Sequence, residues 1–246
     1  MSAETTREIP LLLRAIVGIY AWLAFLALAL LSLLPLLVLP TLPARRRLIR
    51  WVARLALACM GIRVAAAGFE RLPLPCVVVA NHESYLDGVL LAATLPPVFG
   101  FVIKREMHGV PGAGWLLTRI GAHFVARNNG HGSRRDALRV LRSAGNGDAL
   151  AFFPEGTFRP QQGLLPFHNG AFVAAQRGAL PLVPLVIRGT RRCMPPGLPL
   201  PWPGRISVEA LAPIPHRPQR EASELRAAAR GALLAGTGLP DLQAPA

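Results

Sequence analysis

The stretch from Val77 to Leu90, VVVANHESYLDGVL, joins a short apolar run to a helical pattern through a polar turn. A short apolar run bounded by polar residues is typical of a buried strand. Ser84 followed three residues later by Asp87 resembles a capping box, which predicts a helix beginning at Tyr85. His82 then lies at the carboxyl end of the strand, the edge of an open α/β sheet where ligands bind.

His82 and Asp87 are five positions apart, and two interpretations of the pair are open. On one continuous helix, residues at this spacing point about 140° away from each other. With the histidine in the turn and the aspartate in the first helical turn, the carboxylate can meet the imidazole. It then fixes the tautomer and supports the imidazolium that forms when the histidine takes a proton. The alternative is a turn histidine beside a carboxylate that only caps the helix.

Apolar runs alternate with helical patterns after residue 65, which predicts a single α/β domain. Strands are predicted at Val77–Ala80, Val98–Ile103, His123–Ala126, Ala149–Phe153, Leu182–Ile187 and Ile206–Leu211. Helices are predicted at Tyr85–Thr94, Ala113–Ile120, Arg134–Ser143, Gly170–Arg177 and Glu221–Leu234. Because the strands are continuously apolar, we expect a largely parallel sheet that is flanked by helices and buried on both faces.

The N-terminal part of the chain carries no charge for 30 residues between Arg14 and Arg45. As a helix this stretch would be about 45 Å long, more than the roughly 30 Å hydrocarbon core of a bilayer requires. It is too long for a cleaved signal peptide, so a membrane-associated segment is predicted. Pro35, Pro40 and Pro43 predict a kink or break, so a membrane span and a re-entrant hairpin both fit.

A basic cluster follows the apolar segment at Arg45, Arg46, Arg47 and Arg50. By the positive-inside bias it predicts that the next domain is cytoplasmic. The stretch Trp51–Val64 has the pattern of an amphipathic helix at the membrane interface, with anionic headgroups as partners for its arginines, although an ordinary domain helix fits almost as well. We therefore divide the chain into membrane-associated helices over residues 1–65 and an α/β domain over residues 66–246.

The composition narrows the classes of partner. The 246 residues carry a formal net charge of +14, and Lys104 is the only lysine among 27 basic residues. A basic surface attracts anionic partners, but no nucleic-acid motif accompanies the charge, so no nucleic-acid partner is predicted. Three cysteines without metal spacing indicate a reducing compartment. The six histidines show no ligand spacing either, so no metal site is predicted.

Four blocks in the same order resemble the glycerolipid acyltransferases, specifically the bacterial 1-acylglycerol-3-phosphate acyltransferases. NHESYLD, Asn81–Asp87, is similar to that family's N-H-x4-D signature. The second block is carried by Lys104, Gly121, Phe124 and Arg127. FFPEGTFRP resembles the F-P-E-G-T-R block through Phe153, Pro154, Glu155, Gly156 and Thr157. The last block is carried by Phe167, Gly170, Ala171 and the strand around Pro184.

The resemblance implies acyl transfer from a thioester to a free hydroxyl of 1-acylglycerol-3-phosphate, which makes phosphatidate for phospholipid biosynthesis. His82 is then the general base and Asp87 orients it. Lys104 and Arg127 are candidates for the acceptor phosphate, because arginine offers a bidentate fork and lysine a compact charge. The block Glu155–Thr157 is expected to face the acceptor, with main-chain N–H groups and Thr157 directed toward it and Glu155 holding a hydroxyl or a basic group.

Two positions depart from the family pattern and bear on the acceptor. Phe158 stands where many members carry arginine, and Arg159, one place later, is a candidate to take over that task. His168 stands where lysine is common. These departures leave another acceptor open, as in lyso-ornithine lipid acylation or lysophospholipid remodelling. Hydrolysis of the thioester and a catalytically silent lipid-binding module are the further alternatives.

The resemblance also implies the setting of the reaction. The donor is acyl-coenzyme A or an acyl carrier protein, acting as co-substrate, and no other cofactor is expected. The expected location is the bacterial cytoplasmic membrane, with the catalytic domain on its cytoplasmic face. The helix Ser133–Gly145, with four arginines, fits docking of an acidic carrier, of coenzyme A phosphates or of the membrane, while a solvated helix face is the commoner cause of such a charge run.

Overall fold

The computed structural model describes residues 10–126 and 131–243, with the side chains of 131–134 left out. The helices of the described part are α1 Leu11–Val38, α2 Leu42–Cys59, α3 Leu86–Thr94, α4 Ala113–Arg119, α5 His131–Gly145, α6 Gly170–Arg177, α7 Thr190–Cys193 and α8 Ala222–Thr237. The strands are β1 Ile62–Ala67, β2 Val77–Ala80, β3 Gly100–Lys104, β4 His123–Val125, β5 Leu150–Phe152, β6 Leu182–Arg188 and β7 Gly204–Ala210.

The strands form one seven-stranded sheet in the order β1-β7-β6-β2-β5-β3-β4. Five strands, β2 to β6, run in the same direction, while β7 pairs antiparallel with β6 and carries β1 parallel to itself at the edge. Strand β2 lies near the middle, between β6 and β5. The prediction of a largely parallel sheet flanked by helices is confirmed.

Alternate residues of β2 enter two separate cores, one on each face of the sheet. Val78 and Ala80 pack with α1, α2 and α3, while Val77 and Val79 pack with α5, α6 and α8. All four side chains are fully buried. Such burial on both faces is why the strand is continuously apolar rather than alternating.

Predicted and observed bounds agree closely for most elements, and for β2 and α6 they are identical. The exception is Trp51–Val64, which was predicted as one amphipathic helix. The helix ends at Cys59, Gly61 turns the chain at a φ of +69°, and β1 begins at Ile62. Strand β1 was missed because it is stabilised by pairing with β7, far away in sequence. The boundary predicted at residue 65 falls inside this strand.

Three arginines of α2 donate hydrogen bonds to main-chain carbonyls of the domain, and one of them, Arg54, was predicted to meet anionic headgroups. Arg50 Nη2 donates to the carbonyl of Thr94 at 3.0 Å, and Arg54 Nε to that of Ala93 at 2.8 Å. Arg46 in the same way donates to two carbonyls of neighbouring loops. Since the last carbonyls of a helix have no partner within it, Arg50 and Arg54 cap the end of α3. These contacts are those of an ordinary domain helix, while a position of α2 at the membrane interface stays a prediction.

Helix α1 is long and apolar enough to cross a membrane, judged by length and composition. It continues through Pro35 to Val38, and α2 starts four residues later, so the pair forms a helical hairpin. One side of α1 packs on the domain, with Ala21 in the core and Trp22 Nε1 donating to the carbonyl of Pro199 at 2.6 Å. The remaining surface exposes a broad band of large apolar side chains, among them Leu23, Leu26 and Leu34.

Candidate functional site

The carboxyl ends of the central parallel strands bring the predicted site residues to one edge of the sheet. His82 and Asp87 follow β2, and Glu155 follows the neighbouring β5. Lys104 ends β3, the next strand along. Parallel strands place their carboxyl ends at the same edge, where open α/β sheets bind ligands. Blocks 73 residues apart in the chain are therefore adjacent in the fold.

His82 and Asp87 form a hydrogen-bonded pair. The Nδ1 atom of His82 lies 2.8 Å from Oδ2 of Asp87, a carboxylate with no exposed surface. The same Oδ2 accepts the main-chain N–H groups of Glu83 at 2.7 Å and Ser84 at 2.8 Å. With Nδ1–H donating to the carboxylate, the other ring nitrogen, Nε2, is an acceptor and can take a proton.

Two further side chains fix the turn that carries His82. The Asn81 amide pairs with the main chain of Ile187 in β6, donating to its carbonyl at 2.9 Å and accepting its N–H at 2.7 Å. Ser84 Oγ donates to the carbonyl of Met194 at 2.8 Å. Asn81 and Ser84 are both fully buried. The sequence analysis did not predict these hydrogen bonds, because no local pattern indicates a partner more than 100 positions away.

Glu155 binds the main chain rather than presenting its carboxylate to a ligand. One oxygen accepts the N–H of His82 at 2.7 Å and the other the N–H of Leu165 at 2.7 Å. The side chain is 3% exposed, and burial raises its pKa to about 7 against the opposing effect of the two N–H groups. We predicted contact with a hydroxyl or a basic group; the structure instead makes Glu155 a residue that positions His82.

The rest of the predicted third block is arranged differently from the expectation. The Gly156 N–H donates to the carbonyl of Phe153 at 2.9 Å within the turn, with a φ of +70° that favours glycine, and so does not point to an acceptor. Thr157 is exposed, and its hydroxyl is 3.4 Å from the carbonyl of Phe158. The Arg159 side chain is exposed too.

Aromatic rings enclose the imidazole of His82. Phe153 stacks on it with ring centroids 4.3 Å apart and planes at 20°. Phe158 meets it edge-on at 4.8 Å and meets Tyr85 in the same way at 4.8 Å. The side chain of His82 is 18% exposed. Phe158, which stands where many family members carry arginine, thus contributes an apolar wall beside the base.

The predicted phosphate-binding pair is described in part. Lys104 is exposed at the end of β3, and Arg127 lies outside the described residues. Ala126, the last described residue before Arg127, donates its N–H to the carboxylate of Asp136 at 3.1 Å. Asp136 is 1% exposed and also accepts a hydrogen bond from Nη2 of Arg105 at 2.5 Å. This buried carboxylate, missed by the sequence analysis, fixes the end of β4 and pairs with a basic residue next to Lys104.

A histidine hydrogen-bonded to a buried aspartate thus lies at the carboxyl ends of the parallel strands. The chain matches the model of the Acyltransferase family over residues 63–188. The chain belongs to this family. Its fold is that of the 1-acyl-sn-glycerophosphate acyltransferase of Thermotoga maritima, with a TM-score of 0.76 over 91% of this chain and 95% of the other at 23% identity.

Curated relatives of the chain act on more than one lysolipid. It is 31% identical to the 1-acyl-sn-glycerol-3-phosphate acyltransferase of Saccharomyces cerevisiae over 183 residues, 69% of this chain and 59% of that protein. It is 33% identical to the lyso-ornithine lipid O-acyltransferase of Pseudomonas aeruginosa over 153 residues, 62% of this chain and 58% of the other. The matches thus cover less than two thirds of these relatives.

Proposed function

We propose that the protein transfers a fatty acyl group from an acyl thioester to the free hydroxyl of 1-acyl-sn-glycerol-3-phosphate, giving phosphatidate. One observation carries the proposal: the 2.8 Å contact between His82 Nδ1 and the buried carboxylate of Asp87 leaves the other ring nitrogen free to accept a proton. Membership of the Acyltransferase family and the yeast relative support the reaction and this acceptor.

The chemistry follows from that pair. Nε2 of His82 removes the proton of the acceptor hydroxyl as its oxygen attacks the thioester carbonyl, and Asp87 stabilises the imidazolium. When the tetrahedral intermediate collapses, the carbon–sulfur bond breaks and the imidazolium returns the proton to the leaving thiolate. The products are an ester and a free thiol. The acceptor is itself the nucleophile, so no acyl-enzyme is needed, and the chain's own part requires no cofactor beyond the donor.

Basic side chains are proposed to bind the acceptor phosphate. Lys104 at the end of β3 and Arg127 just after β4 are the two candidates, with the exposed Arg159 as a third. Lys104 and Arg159 are exposed, so they can meet a phosphate without the cost of burying an unpaired charge. In this proposal Glu155 and Gly156 shape the turn, and Thr157 is the exposed polar side chain of the block.

Acylation of lyso-ornithine lipid is the second candidate. The observation in its favour is Phe158, which places an aromatic ring rather than a cation 4.8 Å from the imidazole of His82. An aromatic wall does not attract phosphate, whereas aromatic faces attract ammonium groups. The Pseudomonas aeruginosa relative, named for that acceptor, supports the same alternative. Remodelling of other lysophospholipids follows the same chemistry.

The proposed setting is the cytoplasmic face of a bacterial inner membrane, with an acyl carrier protein or acyl-coenzyme A as donor. The exposed apolar band of α1 supports membrane association. The many arginines of the chain and its charge of +14 suit both anionic lipid and an acidic donor.

Acyl transfer by the purified protein tests the proposal. Labelled acyl-coenzyme A and acyl carrier protein are offered with 1-acylglycerol-3-phosphate, lyso-ornithine lipid and lysophosphatidylcholine, beside a His82→Ala variant. We expect turnover with the phosphate acceptor and a loss of about 10²- to 10⁴-fold in the variant, the usual contribution of a positioned base. Turnover with lyso-ornithine lipid alone would favour the second candidate. Equal activity of wild type and variant would overturn the catalytic role of His82.

A further inference from the structure

The enclosure of His82 depends on a loop that has little packing of its own. Phe158 lies beyond the turn at Gly156, between the exposed residues Thr157 and Arg159. Its ring nevertheless contacts both His82 and Tyr85 at 4.8 Å between centroids. A ring on an exposed loop keeps such a place only if the main chain of the loop is held.

Arg191, outside all four blocks that resemble the family, holds this loop. It lies on the short helix α7, which follows β6 through a glycine turn at the same edge of the sheet. Its Nη1 donates to the carbonyl of Arg159 at 3.0 Å, and its Nη2 donates to the carbonyl of Pro160. One planar guanidinium thus bridges two consecutive carbonyls directly after Phe158, a fork that a lysine ammonium cannot reproduce.

The charge of Arg191 also acts on a buried carboxylate in the turn that carries His82. Glu83 is 7% exposed, and its Oε1 has no hydrogen-bond partner in the described part of the chain. Burial raises the pKa of Glu83, the neighbouring Asp87 raises it further, and the charge of Arg191 lowers it. The guanidinium thus holds the loop that carries Phe158 by hydrogen bonds and interacts electrostatically with the turn that carries His82.

We propose that Phe158, fixed by Arg191, closes the site around His82 against water, so that the thioester is transferred to a lipid hydroxyl and not hydrolysed. This inference rests on the proposed function. In the hydrolysis that it suppresses, water gives a proton to Nε2 of His82 and its oxygen bonds to the acyl carbon. The carbon–sulfur bond then breaks and the thiolate takes the proton, leaving a fatty acid and a thiol. Phe158 acts by excluding water, and Arg191 is a positioning residue.

The division of transferred acyl groups between water and the lipid acceptor tests whether Phe158 and Arg191 suppress hydrolysis. Free fatty acid and lipid ester are measured together for wild type, Phe158→Ala, Arg191→Gln and Arg191→Lys, at saturating acceptor. We expect the ratio of free acid to ester to rise roughly tenfold in Phe158→Ala, which loses the covering ring, and in Arg191→Gln, which loses the charge-assisted hydrogen bonds to the loop. Arg191→Lys keeps the charge near Glu83 without the fork, so it should resemble Arg191→Gln. The matched control is Arg192→Gln, the exposed neighbour on α7.

Chemical modification of His82 tests the enclosure without relying on turnover. Diethylpyrocarbonate is added to each protein, and the rate of labelling of the His82 peptide is followed by mass spectrometry. We expect labelling to be several times faster in Phe158→Ala and Arg191→Gln than in wild type and Arg192→Gln. Unchanged labelling and an unchanged product ratio in both variants would overturn the proposal. A wild type that acylates no lysolipid would instead overturn the proposed function, while the labelling rates would still report the enclosure.

Discussion

At the scale of single residues, Asp87 combines two roles that the sequence presented as alternatives. Its Oδ2 accepts the N–H of Ser84, the bond expected of a capping box, and also lies 2.8 Å from His82 Nδ1. Its Oδ1 is buried without a hydrogen-bond partner among the described residues. An ionised carboxylate tolerates this environment because three donors converge on the other oxygen.

Replacing Asp87 by asparagine separates the two roles. The amide oxygen can still cap the turn, but the variant has no charge to support an imidazolium. We expect kcat to fall about 10²- to 10⁴-fold with little change in KM, since tautomer control and charge are lost together. Steady-state kinetics and a thermal melt of the same preparation check this. A variant with wild-type kcat would mean that the carboxylate is a helix cap and nothing more.

Glu155 gives a prediction about stability and pH. In the folded protein the Glu155 carboxyl keeps its proton up to a pH near 7, because burial raises its pKa from the ordinary 4.5 to about 7. An unfolded chain releases that proton near 4.5, so folding binds a proton between these values and stability falls as pH rises through this range. Relative to Glu155→Gln, the free energy of unfolding of wild type should fall by up to about 3 kcal/mol from pH 4.5 to 7.

Urea unfolding of wild type and Glu155→Gln at a series of pH values from 4 to 8 measures this difference. The glutamine variant supplies the control for every other titrating group. Since glutamine has one acceptor oxygen for two N–H groups, we also expect a lower kcat, by roughly tenfold, from the displaced His82 main chain. Parallel pH profiles of stability for the two proteins would contradict the raised pKa.

At the scale of the elements, the turn that carries His82 is bound to β6 through the side-chain amide of Asn81. Asn81→Leu keeps the branched shape and the number of side-chain heavy atoms, and it leaves the N–H and carbonyl of Ile187 unpaired in a residue that is 1% exposed. We expect a loss of about 3 kcal/mol in the free energy of unfolding, together with a lower kcat. Asn169→Leu, at an exposed position, is the control and should stay within about 0.5 kcal/mol of wild type. Equal denaturation midpoints would show that the amide bridge is dispensable.

Helix α2 offers a test of its arginines as caps rather than headgroup ligands. The double variant Arg50→Ala, Arg54→Ala removes the donors to the carbonyls of Ala93 and Thr94, which are nearly buried. We expect the free energy of unfolding to fall by about 2 kcal/mol. Arg47→Ala with Arg63→Ala loses the same charge at two exposed positions and should unfold almost as wild type. Matching midpoints of the two double variants would contradict the capping role.

At the scale of the whole molecule, α1 exposes more apolar surface than solvent contact favours. Leu23 and Leu26, near the middle of the helix, are 61% and 53% exposed. Replacing both by lysine should reduce binding to neutral phosphatidylcholine vesicles at least tenfold, because each charge costs about 2.5–3.5 kcal/mol at the centre of a bilayer-embedded helix. Leu138→Lys, an exposed leucine on α5, is the control for a surface charge. Unchanged co-sedimentation of the double variant with vesicles would show that α1 does not contact the membrane.

The local pattern of apolar and polar residues predicted most elements of the domain and failed at one edge strand, β1. Strand β2 and helix α6 have the bounds that their apolar runs and flanking polar residues predict. Strand β1 was not recognised, because five of its six residues are exposed and its stability comes from pairing with β7. The hydrogen bond from Arg54 to Ala93 was not predicted, because a pattern of charges does not reveal which carbonyls will lie within reach.

The sequence by itself determined the order of the elements that it predicted, the apolar first helix and the possibility that Asp87 meets His82, because these depend on residues close together in the chain. The tertiary structure decided which side chains hold the site in place. Glu155 accepts the N–H of His82, Asn81 binds the main chain of β6, and Arg191 binds the loop that carries Phe158. Each support joins side chains to main-chain groups that lie 32 to 106 positions away. Main-chain amides are the same at every residue, so only the folded sheet selects which of them a given side chain reaches.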